Sequence, residues 1–396
     1  MLLSEHGVAQ MAALPERFRI ERCRRRRGMT GRRSAPLPQA KFWIVLAEVG
    51  SRVDPGDVGT DNIAVRGGPR ARSVAMIAVG VAVASMGSAS AEATLPGRNG
   101  DIVFGHEGRG GTSQICILRS GARHVECLTS GRNDKFSPAY SPDGERIAFS
   151  VRRWVGSQLV DSIKVMEGDG SHVRFLAHGE SPQFRPDGRK VVFTRVRGGG
   201  SAIYTLNPNG GRPGLLIHDG RTPTYSPDGR SVVYEGTTGG NIGLVKARAD
   251  GSRPRQLTVS PVSAPDQDGN RQLLFIDSRP RFSPDGRRIV FLRSDAGQAG
   301  GVGDIYLMDA NGNHVEQLTP HRRYANNYAD PTFSPDGRMI AFADESSNGR
   351  SIMPQIYVMH PDGRGRRPAT RSRGWFTGLD WQSLPPIDQG PWGTRR

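Results

Sequence analysis

The feature that most constrains this chain is a phrase that returns five times: "FSPAYSPDGERIAFS" from residue 136, "SPQFRPDGRKVVFTR" from 181, "TPTYSPDGRSVVYEG" from 222, "RPRFSPDGRRIVFLR" from 279 and "DPTFSPDGRMIAFAD" from 330. Each copy holds an apolar run, a Pro-Asp-Gly break and a second, alternating apolar run. Pro presets the first turn position, Asp caps the turn through its side chain and Gly takes the left-handed conformation, so every copy reads as a tight β-hairpin. The turn Asp falls at 143, 187, 228, 285 and 336, which gives spacings of 44, 41, 57 and 51 residues. That period fits one four-stranded propeller blade with its loops.

Between these hairpins runs a second recurring phrase, for example "SIKVMEGDGSHVRFLAHG", "DIYLMDANGNHVEQLT" and "QIYVMHPDGRGRRPAT". Each is again two strands about an Asn/Asp/Gly turn, so a unit has four antiparallel strands, A to D. Near the start of the array "GDIVFGHEG", "QICILRS" and "HVECLT" supply strands B, C and D with no A before them. At the other end "FTGLDWQS" (376–383) supplies a strand A with nothing after it. Five full blades and one shared by the two ends predict an all-β, six-bladed propeller over residues 94–383. Closure has a physical motive, because a ring packs every sheet between two neighbours and leaves no terminal sheet bare. The aromatics of strand A (Tyr140, Phe184, Tyr225, Phe282, Phe333, Trp381) and of strand B (Phe104, Phe149, Phe193, Tyr234, Phe291, Phe342) are expected to fill the gaps between blades.

Outside the array the sequence reads differently. Residues 70–91, "RARSVAMIAVGVAVASMGSASA", show a basic start, an apolar run and Ala89-Ser90-Ala91, the layout of a secretory signal and too short a run to span a membrane. This places the protein in the periplasm or outside the cell, with no membrane span after cleavage. Residues 1–69, Arg-, Gly- and Pro-rich without periodicity, read as a disordered or wrongly assigned upstream extension, and 384–396 as a flexible tail. The chain carries +16, of which residues 1–91 hold 14 basic against 7 acidic side chains, or +7, leaving +9 for the remainder. Such a mildly basic surface does not call for a nucleic-acid partner. Cys116 and Cys127 flank the turn-like "SGAR". If their strands pair about that turn the two face each other and an exported protein permits a disulfide, the alternative being two buried free thiols.

The pattern "PxFSPDGxxIxF…IYxM…DG…LT" resembles the propeller repeats of the TolB family over residues 94–383. The resemblance implies the six-bladed fold. The small α/β domain that precedes the propeller in TolB itself has no counterpart in the pattern read here.

Because the Pro-Asp-Gly turns all join strand A to B, they lie on one face, and the varied D-to-A and B-to-C connections lie on the other. Function is disproportionately carried by such loops on a rigid scaffold. "VRRWVGSQLVDS" brings Arg152, Arg153 and Trp154; "TPHRRYANNYADP" brings His321, Arg322, Arg323, Tyr324 and Tyr328; "VSPVSAPDQDGNRQLLFIDSRP" brings Asp266, Asp268 and Asp277. Exposed Arg, Tyr and Trp are the usual anchors of a protein interface. The residues that open strand A (Ser137, Ser181, Thr222, Arg279, Asp330 and Thr377) are expected to ring the channel mouth, where they could hold an ion or an extended peptide end. "DQDG" lacks the spacing and terminal Glu of a calcium loop. No GxSxG, HExxH, phosphate loop or CxxC pair is present. The expectation is therefore a monomeric, non-catalytic module without cofactor or metal that binds a protein or peptide in the cell envelope or outside. The rival is a lyase or glycoside hydrolase acting on a polysaccharide at the channel mouth.

Overall fold

A computed structural model describes residues 95–108, 111–198, 200–261, 273–295, 303–319, 328–345, 354–372 and 374–385. The proposed extension and signal segment lie outside these residues. The described chain forms 24 strands and no helix, arranged as six four-stranded antiparallel sheets.

Blade 1 is β4 (Asp134–Tyr140), β5 (Arg146–Val155), β6 (Gln158–Glu167) and β7 (Arg174–His178). Blade 2 is β8 (Glu180–Phe184), β9 (Val191–Arg197), β10 (Gly200–Leu206) and β11 (Gly214–Ile217). Blade 3 is β12 (Arg221–Tyr225), β13 (Ser231–Thr238), β14 (Asn241–Arg248) and β15 (Arg255–Gln256). Blade 4 is β16 (Phe275–Phe282), β17 (Arg288–Asp295), β18 (Asp304–Asp309) and β19 (Glu316–Gln317). Blade 5 is β20 (Tyr328–Phe333), β21 (Ile340–Asp344), β22 (Gln355–Met359) and β23 (Arg367–Pro368). Blade 6 joins β24 (Trp375–Leu384) to β1 (Arg98–Glu107), β2 (Ser113–Leu118) and β3 (Val125–Cys127), so the two ends of the array share one sheet. Ile102 pairs with Trp381 and Val103 with Asp380, the closure read from the orphan strands. Strand β24 extends through Leu384, one residue into the segment assigned to the tail.

The Pro-Asp-Gly hairpins are held as their residues dictate. Ser141 Oγ donates to Asp143 Oδ1 at 2.5 Å, the Glu145 amide donates to the same oxygen at 3.1 Å, and Gly144 sits at φ +72°. The Ser-Asp pairs Ser226–Asp228, Ser283–Asp285 and Ser334–Asp336 repeat the device.

Six apolar clusters form the core, one in each gap between neighbouring blades. Every strand-B aromatic and five strand-A aromatics are buried there. Trp381 is half-buried and its indole N–H donates to the Gly100 carbonyl at 3.1 Å. Cys116 lies opposite Cys127 in the β2–β3 register and the two form a disulfide. Sheets stacked around an axis in this way put the connections B-to-C and D-to-A at one end of the channel.

Candidate functional site

At that end each innermost strand is interrupted by a bulge. The ladder slips between Phe136 and Ala139, Glu180 and Gln183, Arg221 and Thr224, Ser278 and Arg281, and Ala329 and Thr332. Within each slip one residue turns left-handed: Ser137 (φ +48°), Ser181 (+53°), Thr222 (+47°), Arg279 (+52°) and Asp330 (+49°). A Pro follows in all five copies, tolerated because a bulged position need not donate to the ladder. In the sixth blade the left-handed residue is Gly378 (φ +63°), not Thr377, and its neighbour is Leu379. Thr377 instead pairs with Gly105 in the β1–β24 ladder, so the ring member assigned from the sequence is displaced by one. The alignment of Trp381 with Tyr140 already carried this offset.

The ring encloses a cavity of about 50 Å³. That volume suits a water or a small ion. It is crossed by charge. Arg279 forms an ion pair with Asp330, and Asp330 Oδ2 also accepts the Gly378 amide at 2.6 Å. Glu235 accepts the Thr222 hydroxyl at 2.5 Å and the Arg279 amide at 3.0 Å, and Arg221 pairs with its other oxygen at 3.1 Å. Glu345, only 6% exposed, has its carboxyl pushed up to about 8 by burial first and then by the negative charge of Asp330, with Arg279 opposing. Glu180 is raised in the same direction by burial and by Asp161, against the pull of Arg152. The sequence reading missed Glu235 and Glu345; the one signal available was their position one and three residues after the strand-B aromatics Tyr234 and Phe342.

The proposed anchors separate into three groups. Arg153 and Trp154 are exposed near the tip of the β5–β6 hairpin. In its register Trp154 lies opposite Leu159, which places the two on one face, with exposures of 71% and 47%. Arg152 is half-buried and Tyr328 is internal. The Arg152 guanidinium grips Asp161 at 2.9 and 2.7 Å, reaches Glu180 at 3.3 Å and stacks 4.7 Å from the Phe136 ring centre. Tyr328 opens β20 wholly buried, ring edge against Phe342, with Arg366 donating to its hydroxyl at 2.7 Å. Tyr328 is not placed to anchor a partner, because a position next to the ring becomes core once the neighbouring blade covers it, whereas Arg152 keeps part of its guanidinium in solvent while held by two carboxylates. His321, Arg322, Arg323, Tyr324, Asp266 and Asp268, together with "DQDG", lie outside the described residues. Asp277 is buried and held bidentate by Arg293 at 2.7 and 2.9 Å. Among the described residues, the one group of potential metal ligands close enough to share an ion is His106, Cys116 and Cys127, and its two cysteines are joined to each other.

A closed ring of six Pro-Asp-Gly blades with a charged, bulge-lined mouth defines a β-propeller of the TolB kind. The chain belongs to the TolB beta propeller domain family, whose model matches residues 99–276 and 272–382. Among solved structures it is similar to TolB from Acinetobacter baumannii, at 20% identity and TM-score 0.54, covering 72% of this chain and 67% of that one. It is also similar to a putative TolB from Agrobacterium tumefaciens, at 20% identity and TM-score 0.51, covering 71% and 91%. Hydrazine synthase from Kuenenia stuttgartiensis matches at 15% identity and TM-score 0.57, covering 73% and 48%. At these identities the likenesses establish the fold, which hosts unrelated activities.

Proposed function

We propose that this propeller is an exported, non-catalytic binding module that docks an acidic protein or peptide segment on the face of its varied loops. The observation that carries the reading is the β5–β6 hairpin: its two ten-residue strands outrun the rest of blade 1 and hold Trp154 and Leu159 side by side in solvent. A large unpartnered aromatic beside Arg153 is the composition of an interface anchor. The positive balance of the chain supports a partner of negative charge. The anchors Arg322, Arg323 and Tyr324 expected from the sequence fall between β19 and β20, outside the described residues.

The rival, a polysaccharide-cleaving enzyme, draws on one feature, a carboxyl protonated near neutrality (Glu345) beside Asp330 and Arg279. Acid–base pairs of this kind do cleave glycosides. Asp330 is already engaged by Arg279 and by the Gly378 amide, which favours the binding reading.

The test uses the full chain carrying a photo-crosslinking residue at position 159, exposed to an extract of the cell envelope. The adduct is identified, and the purified partner is titrated against wild type, Trp154→Ala and the triple change of Arg322, Arg323 and Tyr324 to Ala. Either variant should weaken binding at least tenfold without altering the melting temperature. Equal affinity in all three proteins overturns the docking face.

A further inference from the structure

On the opposite face, between blades 3 and 4, the turns leave an open crevice of about 640 Å³. Its cations are Lys246, Arg248, Arg253, Arg255 and Arg287, and the one carboxylate in its lining is Asp309, which contacts His314 Nδ1 at 2.6 Å. Arg248, Arg253 and Arg287 are exposed and form no ion pair with a described residue.

Lys246 shows that this is more than a run of surface arginines. In the strand B–C register it lies opposite Val233. The equivalent positions are Ile117, Val165, Leu307 and Val358, all buried in inter-blade cores, and Thr205 in blade 2. One blade therefore replaces an aliphatic core residue with a lysine. The side chain crosses the blade 3–4 gap, its Nζ 5.6 Å from the Phe282 ring centre and 3.1 Å from the Ala310 carbonyl oxygen it donates to. Arg255 likewise donates to the neighbouring blade, to the Asn311 carbonyl at 2.6 Å. The Lys246 ammonium is held below the ordinary lysine range by burial and by the charge of Arg255, only partly offset by Asp228. Asp250 and Asp285 offset Arg248 and Arg287 in the same partial way, and the positive potential that remains is relieved by a bound anion.

We propose that the blade 3–4 crevice is a binding site for a ligand carrying clustered phosphate groups. A single carboxylate could not answer five cations, whereas a phosphomonoester brings close to two charges and three acceptor oxygens, and clustered diesters bring one charge and two free oxygens each. Arginine forks fit those oxygens bidentately and a lysine at the base serves as a point charge. The site is independent of the loop face, so either assignment can fail alone.

Titration calorimetry of the full chain with sodium tripolyphosphate at physiological ionic strength tests it, alongside co-sedimentation with phosphatidylglycerol vesicles and with phosphatidylcholine vesicles as the neutral control. Saturable binding to tripolyphosphate alone assigns a soluble phosphate ligand. Retention on the anionic vesicles alone, or on both probes, assigns a phosphate headgroup at a membrane surface. In each case Lys246→Met, which restores the aliphatic character of the other blades and should fold, weakens binding at least fivefold, and the double change Arg248→Ala with Arg287→Ala at least tenfold. Trp154→Ala leaves it unchanged. No saturable binding to either probe, or binding that both sets of variants retain in full, overturns the proposal.

Discussion

Glu345 offers the sharpest test of the channel-mouth electrostatics. Its carboxyl is 6% exposed and titrates near 8 in the folded protein against an ordinary 4.5. Between those two pH values the folded state keeps a proton that the unfolded chain releases. Stability is therefore full below about pH 4.5 and falls as pH rises toward and through 8. The difference of about 3.5 units corresponds to an upper bound on the order of 5 kcal/mol. Glu345→Gln keeps the shape and the neutral form, so the variant should lack this loss. Urea denaturation of both proteins from pH 5 to pH 9 measures it. The variant should match wild type near pH 5 and exceed it by several kcal/mol at pH 9. A difference that stays within about 0.5 kcal/mol across the range would show that Asp330 and burial do not hold the proton on Glu345, and would refute the account of the mouth.

Three further outcomes test the ring and its closure. Phe376→Ala removes a fully buried ring set 5.4 Å from Phe104 in the shared blade, and should cost about 3–5 kcal/mol in urea denaturation. Gly378→Ala keeps the left-handed backbone that five other residues tolerate but drives a methyl into the Ser137 backbone; a loss of roughly 2 kcal/mol or more is expected by the same assay, and a neutral result would mean the sixth bulge is not as described. Replacing Cys116 and Cys127 together with Ala opens an eleven-residue separation and should lower stability by about 3 kcal/mol, with the melting temperature of the variant no longer responding to reductant.

Much of the architecture was legible because its determinants are local. Pro, Asp and Gly in fixed order specify a hairpin wherever they occur, so counting them counted the blades, and the unmatched strands at the two ends of the array required a shared sheet. The same hairpin geometry allowed a Cys116–Cys127 disulfide but left two free thiols open, and the β2–β3 register supplies the bond. The candidate site was legible only in part. Trp154 and Arg153 lie in solvent as an exposed loop reading implies, but Arg152 is half-buried between Asp161 and Glu180, and Tyr328 is wholly buried with Arg366 on its hydroxyl.

What the chain alone determined, then, is its strands, its turns and the number of wedges, since each depends on residues a few positions apart. The tertiary structure decided which of those residues face one another across blades: Gly378 rather than Thr377 meeting Asp330 from 48 positions away, Arg279 reaching Asp330 across 51, and Lys246 standing where four of its five counterparts are aliphatic core. Burial, charge and proton affinity at these positions are set by neighbours that only ring closure supplies, and no local pattern encodes them.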